Sequence, residues 1–143
     1  MGFIIAMVSG ALMSIQGVWN TQVTKETGLW VSNMWVQFTA FLFCAIVWVV
    51  MGRDEIATLV KVEPRYMLAG GVLGAGITWT VIKSMEALGP AKAVLLIVIT
   101  QIIIAYGIEL LGLFQVEKAA FEWRKVIGIG IALLGLWIFH GSE

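Results

Sequence analysis

The chain has one cysteine, one histidine, two prolines and few charges, with 13% of its residues Asp, Glu, Lys or Arg. Cys44 stands alone inside an apolar run, which excludes a disulfide framework and a cysteine cluster for zinc. His140 stands alone at the C-terminal edge and reads as a solvated or interfacial side chain rather than a ligand. No Ser/His/Asp or Cys/His set and no zinc-ligand spacing can be assembled from such a composition. The stretch "AGGVLGAG" has the lettering of a phosphate loop, but it lies within an apolar run with no strand before it. The formal charge is zero and no basic tail exists, so the electrostatic footprint of a nucleic-acid binder is missing. An enzyme reading has no residues to stand on, and no cofactor or metal is expected.

What the chain has is hydrophobicity. Of its 143 residues, 60% are hydrophobic, and the mean hydropathy is +0.96. A soluble domain of this size has too much surface to carry so few charges. The apolar residues also come in long blocks rather than as stripes on amphipathic helices. This predicts an all-α integral membrane protein, because the runs are too continuous for alternating barrel strands. Five segments are long enough to cross a bilayer, at roughly 20 residues each: about 2–23, 29–51, 66–88, 90–114 and 125–140. They form one transmembrane domain. The first lacks a basic leader and is about 20 residues long, so it reads as a spanning helix rather than a cleaved signal. The connection "TKETG" separates the first two helices, and Pro64 closes the longest polar connection.

Lysine and arginine in the loops set the orientation. Arg53, Lys61, Arg65, Lys118, Arg124 and Lys125 lie on the N-terminal side, and Lys25, Lys83 and Lys92 on the other. Six against three favours a cytoplasmic N-terminus, and the modest bias leaves room for dual insertion. Trp30, Trp48, Trp123 and Trp137 fall where aromatic belts form.

Lipid gives no hydrophobic drive for helix association, so small residues must allow close packing. Gly70 and Gly74 in the third helix, and Gly128, Ala132 and Gly135 in the fifth, read as packing seams. Polar side chains inside such helices face a protein interior or a wet cavity. In the first helix Ser9, Gln16 and Asn20 share a face, with Trp19 beside them and Ser14 and Thr21 on a second stripe. The second helix carries Ser32, Asn33 and Gln37 beside Trp35, and the third carries Thr78, Trp79 and Thr80. In the fourth, Gln101, Ala105 and Glu109 recur every four residues, with Glu109 more than a turn short of the expected end. The amides serve either as interhelical hydrogen bonds or as the lining of a substrate path. The hydroxyls of Ser9, Ser14 and Thr21 can instead bond back to their own helix. Lys83, Glu86 and Lys92 flank a turn and reach the interface. Glu109 is either an interfacial carboxylate, one bonded to Tyr106 or Gln101, or a proton carrier.

The segments "SGALMSIQGVWNTQ", "GGVLGAG", "LGPAKAVLLIVITQIIIAYGIELLGLF" and "WRKVIGIGIALLGLWI" together resemble the YdcZ-like family of small bacterial membrane proteins. That family belongs to the drug/metabolite transporter superfamily, and the resemblance covers nearly the whole chain. Its Gln-Gly…Asn signature is matched by Gln16, Gly17 and Asn20, and its fourth-helix Gln, acid and Gly by Gln101, Glu109 and Gly112. The acid here is Glu109, where Asp is more usual. The resemblance implies half of a ten-helix inverted-repeat transporter in the bacterial inner membrane. Such a half needs a partner, either an antiparallel copy of itself or an inverted homologue. It further implies a secondary transporter, an exporter of small organic metabolites or drug-like compounds. Ser9, Gln16, Trp19, Asn20, Asn33, Gln37, Trp79 and Gln101 would then meet the substrate, Glu109 would couple protons, and Gly17 would allow a close neighbour. The first helix lacks the acid that the small multidrug resistance family carries there. A dimeric channel or facilitator and a non-transporting assembly subunit are the competing functions.

Overall fold

The structure is a computed structural model that describes residues 1–52 and 54–140, the latter without the His140 side chain. The expectations for Arg53 and for the His140 side chain therefore lie outside the described residues. Five α-helices follow one another: α1 (Gly2–Thr27), α2 (Leu29–Met51), α3 (Gly70–Leu88), α4 (Pro90–Leu111) and α5 (Trp123–His140). There is no strand among the described residues. The protein is an all-helical membrane protein. By length and composition α1, α2, α4 and the 65–88 stretch that ends in α3 can each cross a bilayer. The eighteen residues of α5 reach about 27 Å at about 1.5 Å each, close to the hydrocarbon thickness of about 30 Å.

The ends depart from the expected ones for local reasons. Helix α1 continues past Val23 through "TKET", because its polar side chains bond within the helix. Thr27 Oγ1 donates to the Val23 carbonyl at 2.8 Å, and Lys25 Nζ to Gln22 Oε1 at 3.2 Å. Gly28 alone makes the turn into α2, at φ 87°, a conformation that costs a side chain and not a glycine. Tyr66 begins no α-helix. After Pro64 the chain takes a tight 3-10 turn, Arg65–Ala69, before α3 starts at Gly70, a frequent helix opening. Helix α4 stops at Leu111 and not at Phe114, since Gly112 takes the left-handed conformation at φ 64° and its N–H closes on the Ile108 carbonyl. A short 3-10 turn, Leu113–Gln115, follows. Helix α5 begins two residues early, at Trp123.

The chain divides into two compact units, residues 1–87 and 88–143. In the first, α1 and α3 meet at Gly17. A Cβ there would lie 2.5 Å from Met85 Cε and 3.3 Å from Val81 Cγ1. The buried stripe of α1 is Gly17, Thr21 and Thr24, one turn apart along the helix. In the second unit α4 and α5 run antiparallel and pack on each other. The distribution of polarity is inverted relative to a soluble protein. Buried positions include Thr21, Thr24, Ser32 and Asn33, while Phe3, Trp30, Phe43, Trp123 and Trp137 are exposed. That suits a lipid surround, where apolar groups need no cover and polar groups do.

Candidate functional site

Two polar clusters stand out, one in each unit. The first joins α2 to α3. Asn33, only 3% exposed, donates from Nδ2 to the Ala75 carbonyl at 2.9 Å. One turn on, Gln37 donates from Nε2 to Thr78 Oγ1 at 3.2 Å and more weakly to Asn33 Oδ1 at 3.5 Å. Thr78 Oγ1 in turn donates a hydrogen bond to the Gly74 carbonyl at 3.0 Å. Beside this chain Ser32, fully buried, donates to the Asn20 carbonyl at 3.2 Å and ties α2 to α1. The α-helical spacing of Asn33 and Gln37 places both amides on the side of α2 that meets α3. Gln37 is half-buried and its Oε1 points toward Gly74, where an added Cβ would come within 4.0 Å.

The second cluster joins the end of α4 to the start of α5. Lys125 Nζ lies 3.3 Å from Glu109 Oε2 and 3.7 Å from Glu122 Oε1. The same ammonium sits 5.2 Å from the centroid of the Tyr106 ring, within cation–π range. Tyr106 is buried, and its hydroxyl accepts from the Glu122 N–H at 2.9 Å and donates to the Glu122 carbonyl at 3.4 Å. The Ala119 N–H donates to the Glu109 carbonyl at 2.9 Å. The connection from Gly112 to Glu122 is thus strapped to α4 by main-chain bonds that leave the Glu109 carboxylate to Lys125. A hollow of about 360 Å³ opens beside this pair. Its walls are Ile102, Ala105, Gly128, Ile129 and Ala132, with Glu109 and Lys125 at one end. Such a volume accommodates a small organic molecule. A second hollow of about 340 Å³ lies toward the other end of the pair, among Leu96, Leu133, Leu136 and Trp137, with Lys92 at its edge.

Of the residues singled out in the sequence, Asn33 and Gln37 come together, and Asn20 joins them through its main chain. Ser9, Gln16 and Gln101 are exposed, as are Trp19 at 69% and Trp79 at 39%. Glu109 lies in the last turn of α4, nearer the helix end than expected, because Gly112 stops the helix early. Its carboxylate pairs with Lys125 and not with the Tyr106 hydroxyl. Gly17 packs closely. By contrast, a Cβ at Gly70, Gly128 or Gly135 would meet nothing within 4 Å. Thr21 bonds back to the Gly17 carbonyl at 2.8 Å, as its position on a helix allows. Sequence reasoning passed over Lys125, Glu122 and Tyr106 as site residues. Lys125 counted only as a loop charge, and its sixteen-residue separation from Glu109 carries no periodic signal. Among the described residues no three His, Cys, Asp or Glu side chains gather as metal ligands.

The family model described as "Putative inner membrane exporter, YdcZ" matches residues 1–138. No curated protein and no solved structure matches the chain. The match runs from α1 into α5 and includes both polar clusters, so the chain belongs to the YdcZ family of the drug/metabolite transporter superfamily.

Proposed function

We propose that the protein is a secondary exporter of small organic metabolites or drug-like compounds, working by alternating access as an antiparallel dimer or with an inverted homologue. The observation that carries the assembled form is the exposure of Gln16 and Gln101 on membrane-spanning helices. An amide in hydrocarbon lacks hydrogen-bond partners, so a second chain must cover it. Five helices per chain then give ten, and the odd number in each half lets two halves insert in opposite senses. Gln16, Trp19, Asn20, Gln37 and Gln101 line the substrate path as neutral hydrogen-bonding and aromatic contacts. Ser9, Asn33 and Trp79 support it. Glu109 is the proton-coupling carboxyl, and the N-terminus is cytoplasmic, as the six-to-three distribution of basic residues favours.

The test is flux in proteoliposomes holding the full chain and a preloaded metabolite mixture, with losses followed by mass spectrometry. An imposed pH gradient should accelerate the loss of particular compounds, and Glu109→Gln should remove the dependence on the gradient. Downhill loss indifferent to the gradient would instead identify a facilitator. No loss above that of empty vesicles would point to an assembly subunit.

A further inference from the structure

We propose that Lys125 is the movable counter-charge of the coupling carboxyl: Glu109 holds it while ionised and releases it to Glu122 on taking a proton. This rests on the role given to Glu109 above and names the residue that carries its protonation state to α5. The geometry already provides both stations. The ammonium lies 3.3 Å from Glu109 and 3.7 Å from Glu122, so a turn of its own flexible side chain exchanges one for the other. The Tyr106 ring centroid lies 5.2 Å from the ammonium where it stands between the two carboxylates. Glu122 does not need Lys125 to stay in place, because both its main-chain polar groups bond to the Tyr106 hydroxyl. The side chains of Lys125, Glu109 and Glu122 are 41%, 46% and 55% exposed, so none is locked and a proton can reach the carboxylates.

The charge arithmetic gives the direction. On α4 the groups facing the ammonium are Glu109 and Tyr106, and on the segment leading into α5 it is Glu122; Lys118 packs near Gly112 with its Cβ and not at the ammonium. Two carboxylates and one ammonium sum to one negative charge. A proton placed on a Glu109 oxygen neutralises that carboxyl and removes its attraction for the ammonium, while Glu122 keeps its own. The tie across the helix pair, Glu109 to Lys125, then becomes a local tie between the residue that precedes α5 and its first turn, Glu122 to Lys125. Glu109 and Lys125 both line the 360 Å³ hollow, so the charge at that end changes with the proton. Lys125 acts as a positioning residue here, through Glu109 and not on the substrate.

The experiment is side-chain NMR of the full chain in lipid nanodiscs, with labelled lysine Nζ and glutamate carboxyl carbons, assigned through Lys125→Arg and Glu109→Gln. On acidification the Lys125 signal should move with the same midpoint as the Glu109 carboxyl. In Glu109→Gln it should sit at the acid-form position throughout. In proteoliposomes, Lys125→Met should shift the pH of half-maximal flux, and Lys125→Arg should largely restore it. A Lys125 signal that stays still while Glu109 titrates, or that moves equally in Glu109→Gln, overturns the proposal with the role of Glu109 intact. Gradient-dependent flux surviving in Glu109→Gln overturns both, and is told apart because it needs no lysine signal to be seen.

Discussion

Replacing Asn33 tests whether the α2–α3 cluster is structural glue. In Asn33→Ala the strong bond to the Ala75 carbonyl at 2.9 Å is lost, along with the marginal one from Gln37 at 3.5 Å. Neither partner is orphaned. Gln37 keeps Thr78 at 3.2 Å, and Ala75 lies inside α3, where its carbonyl has a helical donor. The cost is therefore that of one interhelical hydrogen bond in a membrane, about 0.6–1.7 kcal/mol, plus a small cavity. We expect about 1 kcal/mol, a roughly fivefold shift in the unfolding equilibrium. Asn33→Asp is different in kind. A carboxylate presents only acceptors, so one oxygen would face the Ala75 carbonyl at the 2.9 Å now bridged by a proton, at a site 3% exposed. That variant should lose at least about 3 kcal/mol, the range for a buried uncompensated charge. Equilibrium unfolding of the reconstituted chain by steric trapping or detergent titration measures both. Equal tolerance of Ala and Asp, or an Ala variant within about 0.3 kcal/mol of the parent, would refute the cluster as what joins the helices.

Three further outcomes are expected. Gly17→Leu should cost about 1–3 kcal/mol by forcing α1 off Met85 and Val81. Gly17→Ala should cost much less in the same unfolding assay, since the flexible end of Met85 must shift and Val81 Cγ1, at 3.3 Å, must give slightly, while helix propensity improves by about 1 kcal/mol. The Thr24 hydroxyl is buried without a hydrogen-bond partner, so the isosteric Thr24→Val should stabilise the chain by about 1 kcal/mol; a loss of stability would show that the hydroxyl is served in the membrane. Gly112→Ala should cost about 1–2 kcal/mol, because φ 64° strains a side chain and Lys118 Cβ already stands 3.4 Å from the new Cβ; hydrogen exchange at Ala119 should rise with it.

The five helices were legible because lipid imposes a length and a composition on every spanning segment. Their ends were not, since a helix stops on one residue's conformation. Gly112 read as the glycine of the fourth-helix signature, and nothing in that pattern says that its left-handed φ ends α4 and puts Glu109 in the last turn. The polar face of α1 and its buried face are different faces. Polarity picked out Ser9, Gln16 and Asn20, whereas the buried stripe is Gly17, Thr21 and Thr24. Close approach between membrane helices is decided by volume rather than polarity, and Gly17 is the residue that leaves room for Met85. Asn33 and Gln37 were readable as one face from their spacing of four. Their partners, a carbonyl at Ala75 and a hydroxyl at Thr78, belong to another helix and follow no sequence period.

Glycine on an outward face sharpens the case for a partner. Gly17 is consumed within the chain, but Gly128 and Gly135 leave space that no neighbour fills. Gly128 and Ala132 in turn form part of the hollow next to Glu109. A lipid tail can lie along such a groove, so small residues alone would not require a second chain. The exposed Gln16 and Gln101 are the stronger argument, for lipid satisfies neither amide. A partner that buries Gln101 on α4 lies two turns from Glu109 on the same helix face. It would therefore bear on the carboxyl whose proton Lys125 follows. Coupling would be a property of the pair of chains, and a dissociated chain should bind protons without moving substrate.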